Sequence, residues 1–295
     1  MADARDVSTQ RADIRESGVA PVAAPGGSTG QPGLNGAGNS AGNGAGERKA
    51  FEFINPWAAV IVVVVVFLAA TVIAQVLVSV YPALHHWSDA RANSWLGRSL
   101  WAQFIYTLIA YALLLAGIVG VLRLRKIPLR AIGIKRPRWR DLGYALGALP
   151  LYYLAYIILV VVVSHIVPEL NVNQQQQIGF GGAHGFGPLA LTFLSLVVIP
   201  PIVEEITMRG FLFTNLRAKA GLVTAVIITS VLFAIGHLQF GSGAPLLWIA
   251  AIDTFTLSLF LIYVRVKTDS LWASICLHAL KNLVAFVSLF IFHLS

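Results

Sequence analysis

The sequence predicts an all-α, polytopic membrane helical bundle of about seven transmembrane helices, with a disordered tail at its amino terminus. Three observations carry that prediction. First, 57% of the 295 residues are hydrophobic and 12% are charged, with a mean hydropathy of +0.75. Soluble domains carry roughly 25% charged residues. This chain therefore has too little charge to cover a globular surface, which excludes an ordinary cytosolic enzyme. Second, the apolar residues fall in runs near the ~20 residues that a helix needs to cross a bilayer. Third, the basic residues sit in short loops between those runs.

Residues 1–50 hold ten of the 26 glycines, mixed with Asn, Ser, Ala and Pro. Such a stretch buries too little apolar surface to balance its ordering entropy, and it is expected to be a disordered cytoplasmic tail. It lacks a basic segment followed by an apolar one, so it does not read as a signal peptide. Residues 51–295 form the membrane domain. Its predicted spans are about 57–81, around the run Val60 to Val66, then 99–122, 142–167, 188–216, 221–240, 244–265 and 271–294. The fourth is interrupted by Pro200-Pro201 and by charges. Gly241-Ser242-Gly243 lies at a span end and reads as a turn.

The loops set the orientation. Between the second and third spans lie Arg123, Arg125, Lys126, Arg130, Lys135, Arg136, Arg138 and Arg140, against the single acid Asp141. Basic loops stay cytoplasmic, and alternation then puts 168–187, which has no Lys or Arg, outside. Arg217, Lys219, Arg265 and Lys267 fall inside again. The amino terminus is thus expected in the cytoplasm and the carboxyl terminus outside it. These loops account for the net charge of +8, and no nucleic-acid partner is expected. The lone cysteine, Cys276, excludes a disulfide framework and a CxxC metal site, and reads as a small core residue.

Ionisable groups at membrane depth cost roughly 2.5–3.5 kcal/mol each on insertion scales and are functional candidates by default. Here they are Glu204, Glu205 and Arg209 in the fourth span, His237 in the fifth, Asp253 in the sixth and His278 in the seventh, joined by the polar Asn282. His85, His86, His165, His184 and His293 fall in loops or at span ends and read as interfacial. Glu205 and Arg209, four apart, share a helix face and can neutralise one another. Glu204 is turned about 100° away from Glu205 and need not be consumed by that pair. His278 and Asn282 also share a face, and Phe233 stands one turn before His237. Asp253 has no basic partner on its own face, so packing, or hydrogen bonding to Thr254 or Thr256, is expected. At about 1.5 Å per residue, Glu204, His237, His278 and Asn282 fall at overlapping depths, and one cavity can collect them.

A carboxylate in such a pocket suits a general base, and with a histidine it can activate water for attack on an amide. A second His and an Asn can donate to the developing oxyanion. Alternatively, Glu204, His237 and His278 can bind Zn(II) and leave a fourth position for water. Spacing does not choose between these schemes. A non-enzymatic reading uses the same charges as helix glue or a relay, in a membrane binding or immunity protein or a proton-coupled carrier. The inverted repeats expected of many transporters are not evident in the sequence.

Three motifs, in order on successive spans, carry a resemblance. Glu204-Glu205-Ile206-Thr207-Met208-Arg209 has the form EExxxR, Phe233 to His237 the form FxxxH, and His278 to Asn282 the form HxxxN. Together they resemble the CPBP family of intramembrane proteases, an Abi-like family that includes CAAX-prenyl endopeptidases and bacteriocin-processing proteins. Arg209-Gly210-Phe211-Leu212-Phe213 and Thr268-Asp269-Ser270-Leu271-Trp272-Ala273 agree with it. The resemblance covers about 188–294, and looser similarity extends the protease-like core back to about 129. It implies an intramembrane endopeptidase with Glu204 as the water-activating base and His237 as its partner. It further implies His278 and Asn282 at the oxyanion, with Glu205 and Arg209 supporting the site. The family has been described both as metalloproteases and as metal-free glutamate-dependent proteases; the second chemistry is the expectation here, with Zn(II) held by Glu204, His237 and His278 as the other. Met208 departs from the aromatic usual before the Arg. Thr254, Thr256 and Ser258 replace small residues of the sixth span, and Ser and Thr also permit close helix approach. The membrane domain contains neither HExxH nor GxSxG. The expected partners are a peptide or membrane-anchored protein substrate and membrane lipids, in a bacterial plasma membrane.

Overall fold

The computed structural model describes residues 53–174, 180, 182–239 and 245–293, which form helices and their connections. The predicted tail and the Gly241-Ser242-Gly243 turn lie outside the described residues. In chain order the helices are α1 (Pro56–Leu84), α2 (Asp89–Arg98), α3 (Leu100–Leu124), α4 (Trp139–Ile166), α5 (Phe186–Ala220), α6 (Leu222–Ile235), α7 (Trp248–Thr268) and α8 (Leu271–Ile291). Among the described residues, six are long and apolar enough to cross a membrane, and none is a strand. Large apolar side chains such as Ile61, Val72, Leu151 and Val223 point outward. That pattern suits hydrocarbon and not water, so the chain is an integral, all-α membrane protein.

Three local features differ from the reading of the sequence. The expected fifth span is only α6, 14 residues long, which rises about 21 Å and falls short of a ~30 Å hydrocarbon core. It ends because the chain tightens after Ile235: His237 N–H donates to Ala234 O at 3.0 Å and Leu238 N–H to Ile235 O at 3.2 Å. The fourth span is not broken at Pro200-Pro201 but runs on through them, with wide π turns at Leu194–Val198 and Ile206–Leu212. A loop was expected between the first two spans, yet α2 forms there. Tyr81, His85, Trp87 and Trp95 gather beside it, with the Arg91 guanidinium 4.2 Å above the Trp87 ring.

α7 is the central helix: 56% of its most apolar window is buried, against 11% for α4. Ser258, Thr254 and Thr256 are buried along it, and small hydroxyl side chains let helices approach closely. Leu257, Leu261 and Val264 of α7 pack with Ala145, Ala148 and Tyr152 of α4 and with Ala273 and Leu277 of α8. Cys276, expected in the core, is half-buried at the edge of this cluster. A second core joins α1, α3, α5 and α6 through Ile118, Phe211, Leu212 and Phe233.

The basic loop between α3 and α4 is a folded strap. Leu271 N–H donates to Gly133 O at 2.9 Å and Trp272 Nε1–H to Lys135 O at 2.6 Å. Ser270 Oγ donates to Asp141 Oδ2 at 3.2 Å, and Lys135 pairs with Asp269. Gly133 has φ +94°, and a Cβ there would come within 2.5 Å of the Arg265 guanidinium carbon. Only glycine accommodates both demands. The strap thereby sets where α8 begins, and with it the height of His278 and Asn282.

Candidate active site

α5 displays its paired carboxylates in different directions. Glu205 turns inward and is fully buried, and Arg209 NH1 donates to its Oε1 at 2.9 Å. The Arg209 guanidinium also lies 4.2 Å over the Phe233 ring. Phe233 in turn meets His237 and His278 edge-on, at centroid distances of 4.8 and 5.8 Å. Glu204 faces α3, where Tyr111 Oη donates to its Oε1 at 2.5 Å. Its side chain remains 17% exposed.

The two histidines are held at their Nδ1 atoms. His278 Nδ1 lies 3.0 Å from Glu205 Oε1, and His237 Nδ1 lies 2.8 Å from Phe233 O. A carbonyl oxygen and a carboxylate only accept, so each ring donates from Nδ1, and in a neutral ring Nε2 is then the lone pair. His278 Nε2 is 3.9 Å from Glu204 Oε2. One imidazole thus links the buried carboxylate to the accessible one.

Asn282 sits one turn beyond His278, and its Nδ2 donates to Leu196 O at 2.9 Å. The reason lies in α5. Proline has no N–H, and the residues four and five beyond Leu196 are Pro200 and Pro201. Neither an α nor a π turn can supply a donor to that carbonyl, and the Asn282 side chain does. The wide turn that carries Glu204 into the bundle is thereby tied to α8.

Glu204, His237, His278 and Asn282, named from the sequence, all line one chamber of about 650 Å³, the more polar of two spaces at the site, with Asp253, Lys281 and Tyr111 in the same wall. Glu204, His237 and Tyr111 also line a second, apolar cleft of about 460 Å³ whose walls include Val64, Phe67 and Leu68 of α1 and Met208 of α5. The two spaces meet at Glu204. Met208, where the motif departs from its usual aromatic, is a buried wall residue of the cleft.

Asp253 is partnered otherwise than its own span indicated. Thr254 and Thr256 donate to carbonyls of their own helix, to Ala250 O at 2.7 Å and Ile252 O at 2.8 Å. The carboxylate instead accepts from Tyr152 Oη of α4 and pairs with Lys281 Nζ of α8 at 2.8 Å. Spacing within one span cannot show partners that come from two others. Tyr111, Tyr152 and Lys281 were missed for that reason; a Lys inside the HxxxN motif was the one available signal.

Glu204, His237 and His278 offer the donor types that Zn(II) takes, a carboxylate and two imidazoles. Among the described residues, however, no three His, Cys, Asp or Glu side chains converge as a metal cage. The donor types fit the metal and their placement does not.

Residues 186–284 match the family model described as Rce1-like, type II CAAX prenyl endopeptidase. No curated protein and no solved structure matches the chain significantly. The matched stretch begins at the first residue of α5 and ends within α8, while Tyr111 and Tyr152 lie outside it. Through this segment, which holds every residue of the three motifs, the chain is similar to that endopeptidase family.

Proposed function

We propose that this protein is an intramembrane endopeptidase that hydrolyses a peptide bond with water activated by Glu204. One observation carries the reading: Glu204 stands where an apolar cleft and a polar chamber meet, with Tyr111 and His237 in the walls of both. An apolar substrate segment in the cleft and water in the chamber would come together at that carboxylate. Glu204 takes a proton from water as hydroxide oxygen adds to the carbonyl carbon. In their neutral form, His237 and His278 can take up a proton at Nε2 and then donate it to the oxyanion or to the leaving amine as the C–N bond breaks. Glu205 holds His278 in the tautomer this requires, and Arg209 balances the charge of Glu205.

The family and the apolar cleft support a peptide or membrane-anchored protein as substrate; a prenylated tail is one member of that class. The unaided carboxylate mechanism is proposed over the zinc one because the three donors do not converge. The positive-inside rule supports a cytoplasmic strap and amino terminus; because α8 starts against that strap, the carboxyl terminus is proposed to lie outside, in a bacterial plasma membrane. The test is cleavage of a membrane-anchored peptide by purified protein. Glu204→Gln is expected to remove at least about 100-fold of the rate, the lower range for a general base, while the protein still inserts and folds. Full activity in Glu204→Gln, His237→Ala and His278→Ala alike would overturn the reading.

A further inference from the structure

The chamber wall holds two carboxyl groups, Glu204 and Asp253, and one amine, Lys281, which among the described residues is its one Lys or Arg. Two carboxylates therefore compete for one ammonium. Lys281 lies three residues past His278 on α8, on the same helix face, and His278 Nε2 is 3.9 Å from Glu204. A lysine has four methylenes with which to move. Opposite unit charges 4 Å apart attract by about 4 kcal/mol even at an effective dielectric constant of 20. An ammonium seated on Glu204 would convert a base into an ion pair, and a paired carboxylate does not take a proton from water.

We propose that Asp253 is a positioning residue that holds the Lys281 ammonium away from Glu204. Asp253 Oδ2 lies 2.8 Å from Lys281 Nζ. Its other oxygen accepts from Tyr152 Oη, so the carboxylate has a fixed orientation before the lysine arrives. The three residues come from α4, α7 and α8, and none belongs to the EExxxR, FxxxH or HxxxN positions. Helix glue alone would be expected deep in the protein. This pair instead opens on the chamber, its side chains 20% and 16% exposed, where a released ammonium has somewhere to go. The inference rests on Glu204 being the base, and it gives a role to the one acid at membrane depth that the hydrolytic scheme leaves unused.

The test compares wild type, Asp253→Asn, Lys281→Met and the double variant, as full-length protein in detergent micelles. Cleavage should fall by about 100-fold or more in Asp253→Asn, the scale of a lost general base. It should persist in Lys281→Met and return in the double variant. Tyr152→Phe should show the same loss in smaller degree, and serves if Asp253→Asn does not fold. A second readout is independent of activity: labelling of Glu204 by dicyclohexylcarbodiimide, which attacks protonated carboxyl groups, followed by mass spectrometry. Labelling should drop in Asp253→Asn and recover in the double variant. The proposal is overturned if Asp253→Asn cleaves normally, if the double variant is as inactive as the single one, or if Glu204 labels equally in all four proteins. Should wild type cleave nothing, the peptidase reading fails, and the labelling pattern still decides whether Lys281 moves to Glu204.

Discussion

Asn282 Nδ2 donates to Leu196 O at 2.9 Å, at the carbonyl that Pro200 and Pro201 leave without a backbone donor. The last motif residue thus completes the backbone of the helix that carries the first motif. A carbonyl without a partner costs about 1–3 kcal/mol when buried and less where water reaches it; this one is part-buried, so the contact ties the geometry of the site to helix stability.

Asn282→Ala is therefore expected to lower the stability of the purified protein by about 1 kcal/mol, the lower end of the cost of an orphaned acceptor, since this carbonyl is part-buried. Adding Pro200→Ala restores an N–H four residues from Leu196 and should recover part of the melting temperature. Thermal melts of the single and double variants check both outcomes. No recovery would mean that Asn282 stabilises the protein through some other contact.

The adjacent glutamates should separate cleanly in stability. Glu205 is fully buried with Arg209 and His278 around it. Removing one partner of such a buried pair costs about 3–5 kcal/mol, so Glu205→Gln should melt far below wild type. Glu204 keeps contact with the chamber, and Glu204→Gln should melt within a few degrees of wild type.

Tyr111 should act on turnover and not on substrate binding. Its hydroxyl donates to Glu204 at 2.5 Å, and a hydrogen bond to a charged group is worth about 1.5–3 kcal/mol. Tyr111→Phe is expected to lower kcat by roughly 10- to 100-fold, since each 1.36 kcal/mol is a factor of ten, with KM little changed. An equal change in KM would assign the tyrosine to binding.

Exhaustive chelation should leave the activity of the purified enzyme intact. The carboxylate scheme needs no metal, and the three donors do not converge among the described residues. Loss of activity on chelation with recovery on adding Zn(II) would replace this mechanism with the metal one.

The strap should respond to acid. A hydrogen bond from Lys135, opposed in part by burial and reinforced by Arg265, holds the Asp269 carboxyl below its ordinary value. A carboxyl depressed in the folded state stabilises above its unfolded pKa, and that contribution is lost as pH falls through the folded one. Melting temperature should therefore drop below the usual carboxylate range, and Asp269→Asn should flatten that part of the profile. A profile identical to wild type would remove Asp269 from the stability of the strap.

The membrane bundle was legible because bilayer thickness imposes helix length, and length and hydropathy are written in one dimension. The six polar motif residues were legible for a related reason: a charged or polar group at membrane depth is costly, so each one stands out against its apolar surroundings. The short α6 was not. The predicted span carries on past Ile235 through Gly236, His237 and Leu238, and the turn hydrogen bonds at His237 and Leu238 end the helix. Nor was the partner of Asp253, because Thr254 and Thr256 are neighbours in sequence while Tyr152 and Lys281 come from other helices.

The sequence by itself determined a polytopic helical membrane protein and the residues that its membrane segments would bear only for a function. Tertiary structure decided how those residues are used: that Glu205 is consumed by Arg209 and His278, that Glu204 opens between an apolar cleft and a polar chamber, and that Asn282 answers a proline-made vacancy in α5. The physical reason is that burial cost is a property of one side chain in its span. A hydrogen bond, by contrast, belongs to two atoms whose approach is set by helices far apart in the chain.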